Sequence, residues 1–234
     1  LAALGVGGRS FRVSRVRRVA EDTTEITLAP AGPGDRLAPE VGQFAYVRPP
    51  WRRVARPYTL SRFEPAGGEV AITVKALGPT STRMQETRVG EAFRLDGPYG
   101  TFGQEALLTD RPVVMIAGGI GITPFVRLAE HLAHEPDRRA VLFYGAASTG
   151  AMAYRQELGR LAHIELVPVP ADAPPEAAGP RLITVDLFRE HLDEPLAAHE
   201  FLLCGPPGMI RALEPALMAA GVPARQIHHE LFSA

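Results

Sequence analysis

Residues 112–125 read Pro-Val-Val-Met-Ile-Ala-Gly-Gly-Ile-Gly-Ile-Thr-Pro-Phe. The uninterrupted apolar run Pro112–Ala117 is typical of a strand buried on both faces, as in a parallel sheet. Gly118, Gly119 and Gly121 allow close backbone approach. Thr123 is placed to cap a helix that opens on Pro124, where the missing N–H costs no hydrogen bond. That helix is expected from about Pro124 to His134, followed by buried strands at Ala140–Tyr144 and Phe201–Cys204. Alternating strands and helices predict an α/β doubly wound parallel sheet over residues 107–234. A helix N-terminus after a glycine turn offers amide donors to a diphosphate. By itself this turn reads equally well as a tight structural turn. The usual dinucleotide fingerprint has a third glycine where Pro124 stands. It also has an acid after the second strand, where this chain has Gly145-Ala146-Ala147-Ser148-Thr149.

Upstream the pattern changes. Phe11–Val16 and Thr24–Leu28 alternate with period two, and Gln43–Val47 and Glu69–Val74 continue the series. Gly32-Pro33-Gly34, Pro49-Pro50 and Gly67-Gly68 punctuate it. Short alternating strands between turn signals predict an all-β antiparallel barrel over residues 1–106. Ala171–Gly179, rich in proline and alanine, is expected to be a loop of the second domain.

The 234 residues are 46% hydrophobic and 22% charged, which excludes a disordered or fibrous protein. A net charge of −1 argues against nucleic-acid binding by counterion release. One cysteine, Cys204, excludes a disulfide framework and a four-cysteine iron–sulfur cluster in this chain. Pro112–Val126, the longest apolar stretch without charge, is 15 residues and too short to span a bilayer. Residues 1–62 carry 11 arginines against 5 acids, leaving −7 on the remainder. A basic first half suits a phosphorylated ligand or an acidic surface, and equally a solvated face. The chain opens on Leu1 with no basic segment ahead of its apolar residues, which suggests the cut end of a longer chain rather than a signal peptide. His228 and His229, adjacent on a strand, point to opposite faces, and His131 and His134 lack a third ligand. No metal site is predicted.

Two further segments carry chemistry. Arg56-Pro57-Tyr58-Thr59-Leu60-Ser61 follows Trp51-Arg52-Arg53. Here a guanidinium can pair a phosphate, a phenol can cover a planar ring, and a hydroxyl can bond a ring nitrogen. Alone, it is also an ordinary strand edge. Gly78-Pro79-Thr80-Ser81-Thr82-Arg83-Met84 is a second turn with helix-capping hydroxyls, able to hold another phosphate or merely to cap.

In this order and spacing the segments resemble the ferredoxin–NADP reductase superfamily, in which a flavin-binding barrel precedes a pyridine-nucleotide domain. The resemblance covers about residues 10–234. Arg56–Thr59 matches the family's Arg-x-Tyr-Ser/Thr flavin motif, and Gly78–Ser81 its phosphate turn. Gly97-Pro98-Tyr99-Gly100 matches the segment that closes the barrel, and Gly118–Pro124 the nucleotide loop. Cys204-Gly205-Pro206 matches the turn beside the nicotinamide, and His229-Glu230-Leu231-Phe232 the terminal segment whose aromatic ring covers the flavin. Gly118–Phe125 looks most like the dehydrogenase modules of ferric reductases and NADPH oxidases, and the ending like flavohaemoglobin reductase domains.

The resemblance implies hydride transfer from NADPH or NADH to FAD, then release of single electrons. It places Arg56 on the flavin phosphate and Tyr58 along the ring, with Pro57 between them among the flavin-binding residues. It makes Thr59, or less well Ser61, the hydrogen-bonding partner near N5. Lys75, Gly78, Thr80 and Ser81 fall with the flavin-binding residues. Gly118, Gly119, Gly121, Thr123, Pro124, Ser148 and Thr149 fall with the nucleotide, as do Cys204, Gly205 and Pro206. Phe232 becomes a movable gate, and Thr59, Cys204 and Glu230 flank the reacting atoms. Cys204 reads equally as core, Glu230 as a surface charge and Trp51 as an adenine stack or rim packing. The Ser-Arg pair that marks a 2′-phosphate site in plant-type members is missing at Val167-Pro168-Val169-Pro170, leaving Ser148, Thr149, Arg155 and Arg181 as candidates. The expected setting is cytoplasmic, free or at a membrane's cytoplasmic face, with a haem-bearing membrane domain as acceptor. The alternatives are a free-standing flavin or ferric-chelate reductase and a non-catalytic sensor.

Overall fold

The computed structural model describes residues 8–64, 66, 68–173 and 182–231. The chain divides into two compact units, Leu1–Thr101 and Phe102–Ala234. The division at 101/102 falls a few residues before the joint expected at 106/107, and Phe102 packs edge-on against Phe125 within the second unit.

The first unit is a closed antiparallel barrel of β1 (Arg9–Ala20), β2 (Thr23–Pro30), β3 (Phe44–Arg48), β4 (Arg56–Phe63), β5 (Val70–Lys75) and β6 (Ala92–Tyr99). The strands run around it in the order β1-β2-β5-β4-β3-β6. Alternation sends Phe11, Val13, Ile26, Leu28, Ile72 and Leu95 into one buried core. Closure leaves no free sheet edge. A six-residue helix, α1 (Pro79–Met84), follows β5 and buries Met84 against the same core. The four strands expected from alternation are present within a few residues at either end. β4 and β6 are two further strands: β6 alternates from Ala92 to Asp96, whereas in β4 the phase breaks at Ser61, an extra residue between the pairs Leu60–Ile72 and Arg62–Ala71.

The second unit is a five-stranded parallel sheet of β7 (Val113–Gly118), β8 (Ala140–Ala146), β9 (Ile164–Pro170), β10 (Glu200–Gly205) and β11 (Ile227–Leu231), in the order β11-β10-β7-β8-β9. Its helices are α2 (Gln104–Leu107), α3 (Thr123–Leu132), α4 (Arg155–Leu158), α5 (Val185–His191) and α6 (Pro207–Ala219). Val114, Ile116, Phe143 and Phe201 form one core with Phe188 of α5 and Leu213 of α6. Alternate residues Met115, Leu142 and Leu202, also fully buried, face the other side. Strands buried on both faces account for the unbroken apolar runs. The order reverses at β7, so its C-terminal end, beside that of β10, is the place where open parallel sheets bind ligands. Among the described residues no helix is long and apolar enough to cross a membrane. Of the expected loop Ala171–Gly179, residues 174–179 lie outside the described residues.

Candidate active site

In the barrel, β4 carries the first group of expected residues. Arg56 and Pro57 are exposed at its start, and no hydrogen bond or ion pair engages Arg56 among the described residues. Tyr58 is half-buried against the barrel core and pairs across the sheet with Ala45. Burial pushes its phenol above the ordinary value, while the charges of Arg56 and Arg52 pull the other way.

Thr59 pairs with Phe44 and is buried, and its Oγ1 meets no hydrogen-bond partner among the described residues. An unmet buried hydroxyl costs about 1–3 kcal/mol, so it calls for an explanation. The hydroxyls of Thr27 and Thr87 share that condition, but Thr59 alone of the three stands beside Tyr58 and Arg56. Ser61, the second candidate for the ring nitrogen, is engaged elsewhere. Its Oγ donates to the Ala71 carbonyl at 3.2 Å and shares a 2.9 Å hydrogen bond with Thr73 Oγ1. Of the two, Thr59 is the one whose hydroxyl has no partner among the described residues.

The turn before α1 lies in the same unit. Ser81 Oγ accepts from the N–H groups of Leu77 at 2.8 Å and Gly78 at 3.0 Å, and donates to the Gly78 carbonyl at 3.0 Å. Its hydroxyl therefore braces the turn and is not free to reach a phosphate. A Cβ at Gly78 would meet nothing within 4 Å, so the turn is open on that side. Thr80 Oγ1 receives a hydrogen bond from Arg52, and Arg83 lies over the Trp51 ring at 4.5 Å. Trp51 thereby packs at the barrel rim. Lys75 is ion-paired with Asp22 at 3.3 Å.

In the second unit the glycine loop departs from its expected local form. Gly119–Ile122 is a 3-10 turn, and α3 begins at Thr123 with Pro124 as its second residue. Thr123 is buried inside the first helical turn and caps nothing, because the preceding 3-10 turn has already put the chain into helical geometry. The glycines are crowded by protein. A Cβ at Gly118 would lie 2.6 Å from Pro206 and one at Gly205 2.9 Å from the Gly118 backbone, while one at Gly121 would collide with the Cys204 carbonyl. Gly118, Gly121 and Gly205 thus let the ends of β7 and β10 press backbone on backbone at the switch point. Pro206 stands exposed beyond them.

Cys204 is fully buried between Ala117 of β7 and Glu230 of β11. Burial, and then the neighbouring Glu230 charge, raise its thiol well above the ordinary range. Burial also pushes the Glu230 carboxyl up to about 7, and its Oε2 has no hydrogen-bond partner among the described residues. Glu230 is not a solvated surface charge. Phe232, the expected gate, lies outside the described residues, as does Arg181. His228 faces Glu200 at 3.0 Å while His229 faces Glu214 at 3.6 Å, on opposite sides of β11.

At the outer end of the sheet, Ser148 Oγ accepts from the Ala151 N–H and so holds its own turn. The N–H of Thr149 donates to Asp172 Oδ1 at 3.1 Å, and the Ala171 N–H donates to the Ala146 carbonyl. Asp172, just past the end of β9, thus stands beside the turn that follows β8. Its signal in the sequence is a lone aspartate directly after the third strand of the parallel sheet.

An exposed unpaired guanidinium, a ring-sized phenol, an orphan buried hydroxyl and an open braced turn fit FAD. A glycine loop at the switch point of a parallel sheet fits a pyridine nucleotide. Comparison with known proteins agrees. The chain matches the oxidoreductase FAD-binding domain family over residues 10–103 and the oxidoreductase NAD-binding domain family over residues 115–214. It is 32% identical to a flavohemoprotein of Pseudomonas putida, over 97% of this chain and 59% of that protein. It is 31% identical to the ferredoxin reductase component of a 3-ketosteroid-9-alpha-monooxygenase from Mycolicibacterium smegmatis, over 93% of this chain and 64% of that protein. The chain spans roughly three-fifths of the length of the curated relatives it matches. Among solved structures, the flavohem-like FAD/NAD-binding domain of nitric oxide dioxygenase from Vibrio cholerae superposes with a TM-score of 0.84 at 26% identity, covering 97% of this chain and 99% of that one. The ferredoxin reductase of carbazole 1,9a-dioxygenase gives 0.83 at 25%, covering 97% and 70%.

Proposed function

Because the chain belongs to the ferredoxin–NADP reductase superfamily, as an FAD-binding barrel followed by an NAD-binding domain, we propose that it takes hydride from NADH and passes electrons singly to an iron-centred acceptor. The observation that carries this reading is the buried Thr59 hydroxyl, left without a partner in the flavin motif. FAD, when bound, supplies the exchange between two-electron and one-electron chemistry.

The chain's own residues supply position and polarity. Arg56 pairs a flavin phosphate, Tyr58 packs along the ring, and Thr59 offers its hydroxyl to the ring edge. Pro57 stiffens the approach to them. Ser81 holds the Gly78–Thr80 turn open for the second phosphate, and Lys75, tied to Asp22, anchors the strand that leads into it. On the nucleotide side, Gly118–Pro124 receives the diphosphate and Cys204-Gly205-Pro206 borders the nicotinamide. Glu230, with a pKa near 7, holds or releases a proton there at physiological pH. Phe232, the gate that the resemblance implies, lies outside the described residues and carries no part of this reading.

Asp172 favours NADH over NADPH. A carboxylate bonded to the Thr149 amide suits the ribose hydroxyls of NADH and repels a 2′-phosphate placed there. The acceptor is proposed to be a haem or an oxygenase iron centre, since the matched relatives are flavohaemoproteins and oxygenase reductase components. The more specific ferric-reductase or NADPH-oxidase type, with a membrane haem domain as acceptor, rests on the Gly118–Phe125 loop and belongs to the same proposal as its narrower form.

Steady-state oxidation of each nucleotide by the FAD-loaded chain, with ferricyanide as acceptor, tests this. NADH is expected to exceed NADPH in kcat/KM by roughly tenfold or more, and Asp172→Ser to narrow the gap. A preference for NADPH, unchanged in the variant, contradicts the assignment of Asp172. No turnover with either nucleotide favours a sensor.

A further inference from the structure

β4 crosses the barrel as two half-paired segments. Arg56–Thr59 pairs with β3, ending at Phe44–Thr59, while pairing with β5 begins at Leu60–Ile72. Thr59 sits at that handover, and the next residue but one, Ser61, is the extra residue of the bulge. An inserted residue shifts the side-chain alternation of everything beyond it. Tyr58 and Leu60 face the core, and after the bulge Phe63 again packs on the core while Arg62 lies opposite Ala71. Without the bulge, Phe63 and Thr59 would fall on the same face of the strand.

The bulge is fixed by polar groups that are themselves buried. Ser61, fully buried, donates to the Ala71 carbonyl and pairs with Thr73 Oγ1 at 2.9 Å. Thr73 stands opposite Glu25 in the sheet. Glu25 is wholly buried and is held by Arg17 Nε at 3.1 Å and Arg62 Nε at 3.3 Å. Arg62 is the residue that immediately follows the bulge. Beyond Leu60, whose N–H still donates to the Gln43 carbonyl at 2.9 Å, serine hydroxyl, threonine hydroxyl and clamped carboxylate thus secure β4.

We propose that Ser61, with Thr73, is a positioning pair: it locks the bulge and so aims the Thr59 hydroxyl at the ligand. The inference rests on the reading of Thr59 as the flavin's hydrogen-bond partner. Ser61 and Thr73 act through Thr59 and touch no reacting atom. A small displacement of a positioned group is enough to cost one to two orders of magnitude in rate.

The test is anaerobic rapid mixing of FAD-loaded protein with NADH, following flavin bleaching, together with the visible spectrum of the bound flavin. Thr59→Val, Ser61→Ala, Thr73→Val and Thr73→Ser are compared with the parent. The expected result is that Thr59→Val displaces the flavin spectrum and slows bleaching. Ser61→Ala and Thr73→Val should do the same to a lesser degree, by roughly tenfold, with KM for NADH unchanged. Thr73→Ser, which keeps the hydroxyl, should restore the parent rate and spectrum. If Thr59→Val has its effect while Ser61→Ala leaves rate and spectrum at parental values, the positioning pair is overturned and the flavin reading stands. If Thr59→Val is silent, the flavin reading fails and takes the pair with it. Should Ser61→Ala not fold, equal rates in Thr73→Val and Thr73→Ser would overturn the pair on their own.

Discussion

In the barrel the turn at Gly78 is held by one hydroxyl, which gathers two amides and a carbonyl and leaves open space where a side chain would stand. In the parallel sheet the turn at Gly118 is held by backbone pressed on backbone, with Pro206, Met209 and Cys204 filling that space. Both stretches combine a strand end, glycine, a proline and a hydroxyl at a helix start, with the proline first at Pro79 and the hydroxyl first at Thr123. The difference shows that glycine serves two separate ends. At Gly78 it gives room outside the protein; at Gly118, Gly121 and Gly205 it gives room inside it.

Substitution separates the two directly. Gly121→Ala is expected to cost more than about 3 kcal/mol in denaturant unfolding, because its Cβ collides with the Cys204 carbonyl, which belongs to a central strand and cannot yield. A loss below about 1 kcal/mol would mean that the loop is free to move away from β10.

Glu230 gives the next effect. Its folded pKa of about 7 lies above the ordinary 4.5, so between those values the native state holds a proton that the unfolded chain has released. Stability therefore falls as pH rises through that window and levels off above it. Glu230→Gln should remove the slope and gain about 1–3 kcal/mol at pH 8 while changing little at pH 4. Denaturant midpoints at the two pH values check this, and a parallel offset at both would show that burial is not the cause.

The smallest pair tests the barrel turn. Ser81→Ala is expected to cost about 1 kcal/mol and to weaken FAD binding, as three hydrogen bonds lose their common atom. Gly78→Ala should change stability by less than about 0.5 kcal/mol, since its φ of 175° is extended backbone open to any residue. Equal losses in the two variants would erase the contrast.

Much of the fold was legible because burial is written as periodicity. The runs at Val113–Ala117 and Ala140–Tyr144 are apolar throughout since both faces are covered, and in β6 Phe93 and Leu95 alternate with the less buried Arg94 and Asp96. β4 escaped that reading because its bulge breaks the alternation at Ser61. The site was legible where chemistry is local. Arg56, Tyr58 and Thr59 are consecutive or nearly so, and their order alone suggested a phosphate, a ring and a hydrogen bond. It was not legible where partners are distant in sequence. Asp172 reaches Thr149 across two strand ends, Ser61 is taken by Thr73, and Thr123 loses its capping role to a 3-10 turn that no composition signals.

The central claim, that this chain moves hydride from NADH to FAD, is met most directly by mixing the FAD-loaded protein with one equivalent of NADH without oxygen. The flavin colour is expected to be lost completely and to return on adding ferricyanide. Flavin that binds in equal proportion to the chain and stays oxidised with both NADH and NADPH would contradict it.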